Sequence, residues 1–582
     1  MRRFKGRFTQ IARSVRARTQ TAATRFPVAV LAIFCASLAA NAEIADALPM
    51  TSDALLRLES ALFSAAAAAI AATLASEAYH ARRGIDLIVQ SLAAILVAAG
   101  VWYGLRWGIF APALIGGILL AIPLAPYLRR GDGLTFWTFA AKMIVGGAFA
   151  FAAVIIFVTG VLAIIYMIGF LFEFEIEGSI DTHIFITALT LVGPWFVLGQ
   201  IPKAFDDRIV VTDEDHSVRA IALLAGWVSA PLALVAALVL YLYGAKIIVT
   251  GDVPKGEIGW IVSVFALLTV SLRIAAEPIE ASGGAALRLF CRIWPWTLVL
   301  PLGLLAYAVW LRIDAEGLTV SRYYLALGGI SAGMIALVGL ISGRRLDIRW
   351  LVAIPAALCL MSSFGPQGVA QSVGRSQTDR LQALFKGDLK PETTGQLSDA
   401  ERRQARSRIY ALDNVDQLDR LASIASAGRA VANGEATDAS LVIEALGLQA
   451  FADSQALISE DLRRYTLIDT AGYDRFALSL TAETKGGRGE SEAPTGNGEP
   501  SIWLDGDNLV VDIAGMRDRF ALTLTNLDNW RKQSSNKPAA PMTLRGEGGR
   551  TLGLVPVRAM RKADGAIVSI SGHLLYTARE WR

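Results

Sequence analysis

Residues Arg312–Ile341 read RIDAEGLTVSRYYLALGGISAGMIALVGLI, and this stretch decides the class of fold. Its second half is apolar, and roughly 20 apolar residues make a helix long enough to cross a hydrocarbon core about 30 Å thick. Its first half is polar and includes Asp314, Glu316, Thr319 and Arg322. The segment is therefore predicted to span a membrane, and its polar residues either bind a ligand or position the start of the helix.

The composition of the whole chain also indicates a membrane protein. Of the 582 residues, 54% are apolar and 18% are charged, and the mean hydropathy is +0.46. A soluble domain has about 25% charged residues. Apolar runs recur up to about residue 364, after which the composition becomes that of a soluble domain. The net charge of +4 comes largely from basic residues in loops beside these runs, so no nucleic-acid partner is predicted.

Eleven apolar runs are predicted to be membrane-spanning helices. They lie near residues 26–42, 58–78, 85–104, 108–128, 140–168, 183–201, 218–243, 258–276, 293–312, 322–342 and 349–365. The run from Leu134 to Phe172 is longer than one crossing requires, but no polar turn divides it. We predict one long, tilted helix there.

The distribution of Lys and Arg predicts the orientation of these helices, because basic loops favour the cytoplasm. A cytoplasmic N-terminus puts most basic loops inside and the acidic sequence EFEIEGSID, residues 173–181, outside. With eleven crossings the C-terminal domain is then outside, in the periplasm if the cell is Gram-negative. A second interpretation treats Ala40-Asn41-Ala42 as a signal-peptide cleavage site, and cleavage after Ala42 would remove the first span.

The predicted fold class is mainly α, with a polytopic helical membrane domain followed by a soluble α+β C-terminal domain. The predicted parts are a basic cytoplasmic segment (1–25), a multi-spanning transmembrane domain (26–365) and an extracytoplasmic α+β domain (366–582). Within the last, 371–465 is predicted to be helical, 466–582 strand-rich and 485–500 a flexible loop. Ser398 and Glu401 have capping-box spacing, and Asp505-Gly506 and Asp564-Gly565 are typical of hairpin turns.

Patterns that would indicate catalysis or metal binding are weak. The cysteines Cys35, Cys291 and Cys359 fall in or beside apolar runs, and the four histidines have no ligand spacing. The sequence GISAG, Gly329–Gly333, matches a nucleophile elbow formally. It lies inside an apolar run, where small residues let helices approach closely. We therefore predict no catalytic residue, no metal site and no cofactor.

Several motifs together resemble those of a known family. They are RFP at Arg25–Pro27, GPWFVLGQIP at Gly193–Pro202, LYLYGAKIIVTGDVPKGEIGW at Leu240–Trp260, EGLTVSRYYLAL at Glu316–Leu327 and SFGPQGVAQSVGRSQTDRL at Ser363–Leu381. Through them, most of residues 25–385 resembles the bacterial multi-spanning membrane proteins catalogued as domain of unknown function 4153. The resemblance implies a helical inner-membrane protein, and the family carries no agreed activity, catalytic residue or ligand to transfer.

The polar start of the opening stretch has two interpretations. In the functional one, a polar cluster at the outer interface binds a substrate or an anionic lipid, and its members are Asp314, Glu316, Thr319 and Arg322. In the structural one, Gly317 ends an outer turn and Thr319 or Ser321 caps the helix. Asp314 or Glu316 then pairs with Arg322 or Arg312. We favour the structural interpretation, because charges at span ends more often anchor a helix than serve a function.

Three functions are compatible with this architecture. The first, which we favour, is a non-enzymatic envelope protein that displays its periplasmic domain for a partner. The second is a membrane-embedded transferase acting on lipid-linked or envelope glycan substrates, with Glu43, Asp46 and Asp53 of the first outer loop as candidate general bases. The third is a solute transporter, which the lack of visible inverted repeats disfavours. The predicted partners are the lipid bilayer and either an envelope protein or a lipid-linked molecule.

Overall fold

The computed structural model describes most of the chain. In its helical part the described residues are 20–172, 179–208, 223–250, 258–280, 283–385 and 397–423. Further on they are 439–446, 448, 458–461, 473–483, 500–506, 508–513, 515–523, 526–527, 530, 541–561 and 567–581. The predicted turn at Asp564-Gly565 and nearly all of the predicted loop 485–500 lie outside the described residues.

As far as Ser362, the described residues consist mainly of apolar helices. They are α1 Pro27–Ile44, α2 Ser52–Ala78, α3 Arg83–Tyr103, α4 Ala111–Leu124, α5 Gly133–Phe172, α6 Ile180–Leu198, α7 Ala230–Thr250, α8 Ile258–Ala276, α9 Ala285–Glu316, α10 Val320–Ser342 and α11 Arg349–Ser362. A π-helical segment, Ala188–Val192, lies within α6, and another, Leu224–Ser229, leads into α7. An apolar helix lies at each of the eleven predicted positions.

Two of these helices are shorter than a full crossing. Among the described residues, nine helices are long and apolar enough to span a membrane. The others, α4 and α11, have 14 residues each, which at 1.5 Å per residue is about 21 Å. They pack against each other so closely that a Cβ at Gly117 would lie 2.7 Å from Leu360 Cγ. Glycine at this position permits the close approach.

Helix α5 is a single element of 40 residues, so the predicted long helix is confirmed. At 1.5 Å per residue it is about 60 Å long. Its start is held by reciprocal hydrogen bonds of 3.0 Å, in which the Thr135 N–H donates to Asp132 Oδ1 and the Asp132 N–H donates to Thr135 Oγ1. Chiefly because of the bond from the Thr135 N–H, the pKa of the Asp132 carboxyl lies below its usual value.

Hydrogen bonds between distant connections define two opposite ends of the helical body. At the first, which we call the arginine end, they join Arg25 to Ile201, Arg130 to Ala78 and Arg349 to Tyr127. At the second, which we call the exit end, the Phe110 N–H donates to the Ser363 carbonyl at 2.7 Å. The chain therefore enters α1 at the arginine end and leaves α11 at the exit end.

The chain forms two compact units. The first comprises Met1–Thr393 and Gln404–Ala445, and the second comprises Thr394–Arg403 and Leu446–Arg582. The predicted domain boundary at residue 366 falls inside the first unit. The reason is the amphipathic helix α12, Val369–Leu384, which buries Val373 with residues of the helical body such as Leu318.

Two further helices follow, α13 Asp399–Asp413 and α14 Ala439–Ala445. The predicted capping box at the start of α13 is confirmed, because the Ser398 N–H donates to Glu401 Oε2 (2.9 Å) and the Glu401 N–H donates to Ser398 Oγ (3.4 Å). The prediction that 371–465 is helical is wrong at its end. There Ile458–Asp461 is a strand, because it pairs antiparallel with Arg558–Arg561.

The strands form two antiparallel sheets around one core. One sheet contains β1 Ile458–Asp461, β2 Arg475–Glu483, β6 Met542–Arg545, β7 Thr551–Arg561 and β8 Ile567–Tyr576, in the order β1-β7-β8-β2 with β6 also paired to β7. The other contains β3 Ser501–Asp505, β4 Asn508–Ile513 and β5 Met516–Ala521 in chain order. Side chains from both sheets, such as Phe520 and Leu552, are fully buried in the shared core. The predicted turn at Asp505-Gly506 joins β3 to β4 and is confirmed.

Candidate functional site

The polar residues before α10 form a hydrogen-bonded helix start at the exit end. Thr319 caps the helix, since its hydroxyl accepts from the Arg322 N–H at 3.5 Å. The Arg322 guanidinium forms a salt bridge with Glu316 and donates to the Gly317 carbonyl at 2.9 Å. Of the ion pairs predicted among Asp314, Glu316, Arg312 and Arg322, the structure therefore forms the one between Glu316 and Arg322. A ligand-binding role for the cluster stays a prediction.

Helix α12 holds this connection in place. Arg380 Nη2 donates to the carbonyls of Ile313 (2.7 Å) and Asp314 (2.8 Å) in the last turn of α9. The Ile313 carbonyl also accepts from the Gly317 N–H at 2.9 Å, and a cation complements the helix dipole at this end. Gln377 Nε2 donates to the Leu318 carbonyl at 2.7 Å. The sequence analysis missed both α12 residues, although their spacing of three puts them on one helix face.

The fourth member of the predicted cluster, Asp314, takes part only through its backbone. Its side chain is exposed and forms no salt bridge among the described residues. Two tyrosines of α10 make further contacts at the exit end. The Tyr323 hydroxyl donates to the Gln367 carbonyl at 2.7 Å, and the Tyr324 ring packs on Phe110. The structure therefore brings together Glu316, Thr319 and Arg322 and leaves the Asp314 carboxylate apart from them.

The three acids of the first outer loop are spread over two helix ends and the turn between them. Glu43 lies in the last turn of α1, Asp53 lies in the first turn of α2, and Asp46 has a φ of +49° between them. All three side chains are exposed. None of them lines any of four cavities identified in the described part of the chain. Their role as general bases stays a prediction.

At the arginine end, Arg25 joins three segments of the chain. Its Nε and Nη2 donate to Glu77 Oε1 (2.8 Å) and Oε2 (2.7 Å) at the end of α2. Its Nη1 and Nη2 also donate to the carbonyls of Ile201 (2.8 Å) and Pro202 (2.9 Å) after α6. Only 9% of the Arg25 side chain is exposed. A planar guanidinium can satisfy all these acceptors at once, which an ammonium group cannot.

Three further ion pairs order the connection after α6. Each joins one of its residues to the start of α5 or the turn before it, and they are Arg130–Asp206 (3.0 Å), Lys142–Asp207 (3.0 Å) and Arg208–Asp132 (2.6 Å). All three are partly exposed, so each contributes at most about 1 kcal/mol. Together with Arg25 they hold residues 201–208 against the arginine end.

A buried charge lies within α8, where Arg273 has only 6% of its side chain exposed. Its partners come from the same stretch of chain, with Nη1 2.8 Å from Glu277 Oε2 and Nη2 3.3 Å from Glu280 Oε2. A paired charge of this kind tolerates burial because its partners offset the loss of hydration. Because Glu277 and Glu280 both pair with Arg273, we interpret the group as structural.

An apolar cavity of about 440 Å³ lies between the spans. Residues of α4, α8, α9, α10 and α11 line it, and none of them is Asp, Glu, Lys, Arg or His. Ser331 of the GISAG sequence is among the lining residues, but α10 continues through it as an unbroken helix. The elbow geometry that a nucleophilic serine requires is therefore absent here.

Comparison with known proteins assigns the chain to a family but gives no activity for it. The model of a family described as Domain of unknown function (DUF4153) matches residues 28–396. No curated protein and no solved structure matches the chain. The matched residues include both ends of the helical body and helix α12, so the helix start at Arg322 and all the described contacts of the arginine end except those of Arg25 lie inside the matched region.

Proposed function

The chain belongs to the DUF4153 family, and from the two ends of its helical body we propose that it is a bacterial inner-membrane protein that displays its second compact unit in the periplasm. There the unit binds an envelope protein, and the helical body serves as its anchor. In this proposal the N-terminus is cytoplasmic and the protein performs no catalysis.

The clustering of basic side chains at the arginine end is the observation that carries the proposal. Arg25, Arg83, Arg130, Lys203 and Arg349 all lie there, on connections far apart in the chain. Lys and Arg next to spans favour the cytoplasmic side. Because the chain leaves α11 at the opposite end, the residues beyond Ser363 would begin on the periplasmic side.

The second unit supports a binding role through an exposed aromatic residue. Phe476 lies on β2, at one end of the strand order, and 42% of its surface is exposed. It packs on His573 of the neighbouring strand β8, with ring centroids 5.6 Å apart. Aromatic residues and terminal strands are common elements of protein–protein interfaces.

Reporter fusions test the orientation. A reporter that is active only in the periplasm should be active after Arg582 and silent after Arg130 or Arg345. The expected difference is between full activity and background, because the proposal puts Arg582 in the periplasm and Arg130 and Arg345 in the cytoplasm. Activity after Arg130, or silence after Arg582, would contradict the proposed orientation.

Crosslinking in intact cells tests the binding role. A photo-reactive amino acid at Phe476 should give a discrete adduct of higher mass than the monomer. The same amino acid at the fully buried Phe520 is the matched control and should give none. A Phe476 variant that gives no adduct, together with purification of the protein as a lone monomer, would count against the role.

A second candidate function, a membrane enzyme acting on lipid-linked substrates, is favoured by the cavity between the spans. An apolar slot in this position suits the hydrocarbon tail of a lipid, and its volume is in the range of small-molecule sites, about 300–1,000 Å³. The cavity has no ionisable Asp, Glu, Lys, Arg or His to act on a head group. We therefore rank this function second.

Filling the cavity tests the second candidate. If the cavity holds a lipid tail, the wild-type protein should purify with a tightly bound lipid, and Ser263→Phe, which places a ring in the lining, should remove it. Leu268→Phe, on an exposed position of the same helix outside the lining, is the matched control and should retain the lipid. Lipid extraction with mass spectrometry gives the readout. Equal lipid in both variants, or none in the wild type, would remove the argument for a lipid substrate.

A further inference from the structure

A polar cleft of about 760 Å³ opens at the arginine end, and neither the display role nor the cavity between the spans accounts for it. We call it the basic cleft, and its lining residues are Thr21, Thr24, Arg25, Glu77, His80, Arg83, Arg130, Lys203, Ala204, Phe205 and Asp206. They come from the chain before α1, the end of α2, the start of α3, the turn before α5 and the connection after α6. The cleft is therefore formed by the tertiary structure and not by one loop.

The charge of the cleft is unbalanced. It contains four Lys or Arg side chains and a histidine, against two carboxylates. Both carboxylates are already engaged, Glu77 by Arg25 and Asp206 by Arg130. Among the described residues His80, Arg83 and Lys203 form no salt bridge. Arg83 interacts electrostatically with Asp86 on the same helix but forms no salt bridge with it, and both Arg83 and Lys203 are exposed, so a ligand can reach their charges.

The walls of the cleft are held in place by the arginines that are already paired. Arg25 is fixed by Glu77 and two backbone carbonyls, and Arg130 donates to the Ala78 carbonyl at 2.7 Å. His80 has a φ of +54°, an uncommon conformation for a residue with a side chain. This conformation closes the end of α2, where the Ala81 N–H donates to the Ser76 carbonyl at 3.0 Å. A ligand would therefore meet a preorganised wall, with less conformational entropy to lose on binding.

From this geometry we infer that the basic cleft binds a phosphate group. Arg and Lys side chains that converge from separate segments match the charge and the several acceptor oxygens of a phosphate. The cleft volume is also in the range of small-molecule sites. If the arginine end is cytoplasmic, the phosphate of an anionic phospholipid is within reach at that surface. A soluble phosphate compound has the same chemistry and is the other source.

Two double variants with the same change in charge test the inference in the full-length protein. Arg83→Glu/Lys203→Glu reverses the free charges of the cleft. Arg82→Glu/Arg345→Glu reverses two exposed charges at the same end that do not line it. The probes are phosphatidylglycerol in mixed micelles, phosphatidylcholine in mixed micelles, and inorganic phosphate. Thermal unfolding at increasing probe concentration gives an apparent dissociation constant, because a ligand that binds the folded state stabilises it by mass action.

We expect the cleft variant to bind phosphatidylglycerol at least about tenfold more weakly than the wild type, and the control variant to bind as the wild type does. Phosphatidylcholine should have little effect. If inorganic phosphate also binds the cleft variant more weakly than the wild type and the control variant, the inference is supported and the phosphate group can belong to a soluble compound. Equal weakening in both double variants, or no stabilisation of the wild type by either anionic probe, would overturn it. If charge reversal prevents folding, Arg83→Gln/Lys203→Gln replaces it, with weaker binding expected in the same direction.

Discussion

Replacing Arg25 with alanine is expected to lower the free energy of unfolding by about 3 kcal/mol or more, since it leaves a buried ion-pair partner uncompensated. Glu77 loses its guanidinium, and the carbonyls of Ile201 and Pro202 lose their donors in the same step. The loss should appear as a lower thermal midpoint of the detergent-solubilised protein and as a lower amount of protein in the membrane. The thermal midpoint of Arg25→Lys should fall between those of the wild type and Arg25→Ala, because one ammonium group cannot reach all of these acceptors.

The matched control for this change is Arg129→Ala. Arg129 is an exposed arginine at the same end, next to Arg130. Surface substitutions of this kind usually change stability by no more than about 0.5 kcal/mol. Equal thermal midpoints for Arg25→Ala and Arg129→Ala would show that the Arg25 network does not hold the arginine end together.

Replacing Gly317 with alanine is expected to cost about 1–3 kcal/mol from the backbone alone, because its φ of +85° and ψ of 179° lie in a region that only glycine occupies readily. The steric cost adds to this, since the new Cβ would lie 2.7 Å from Arg380 Cδ. The side chain of Arg380 would have to move, and its hydrogen bonds to the last turn of α9 would be lost. Lower thermal stability and faster proteolysis near residues 313–320 are the expected results.

Gly328→Ala, in the neighbouring helix α10, is the control for the loss of a glycine as such. A Cβ there meets nothing within 4 Å, and its backbone is helical. Alanine is the better helix former by about 1 kcal/mol, so this variant should be as stable as the wild type or slightly more so. If Gly317→Ala behaves in the same way, the connection between α9 and α10 does not require the left-handed conformation.

Local patterns in the sequence were enough to predict the elements and some of their ends. Apolar runs predicted the positions of the eleven helices, because burial in lipid depends on composition over about 20 residues. The bonds that cap α13 and α10 join residues only three apart, Ser398 to Glu401 and Thr319 to Arg322, so their residue types sufficed. The hairpin turn at Asp505-Gly506 was predictable for the same reason.

The predictions that failed or were missing depend on partners far away in the chain. Residues Ile458–Asp461 carry no strong strand signal and become a strand through pairing with β7. Likewise, nothing local to Gln377 or Arg380 indicates that they bind the connection at residues 313–318. The short helices α4 and α11 pack closely against each other at Gly117 and Leu360. Neither apolar run by itself could predict this contact, because the two helices are far apart in the chain.

The sequence by itself therefore determined that this protein is a helical membrane protein with a strand-rich C-terminal part, because hydrophobic length and turn chemistry are local properties. Only the tertiary structure decided which charges meet. Arg25 and Glu77 are 52 residues apart, and Arg349 and Tyr127 are 222 apart. Such pairs form because helix packing brings the ends of distant spans together, and a buried charge without its partner is costly. The basic cleft exists for the same reason, since five separate segments supply its walls.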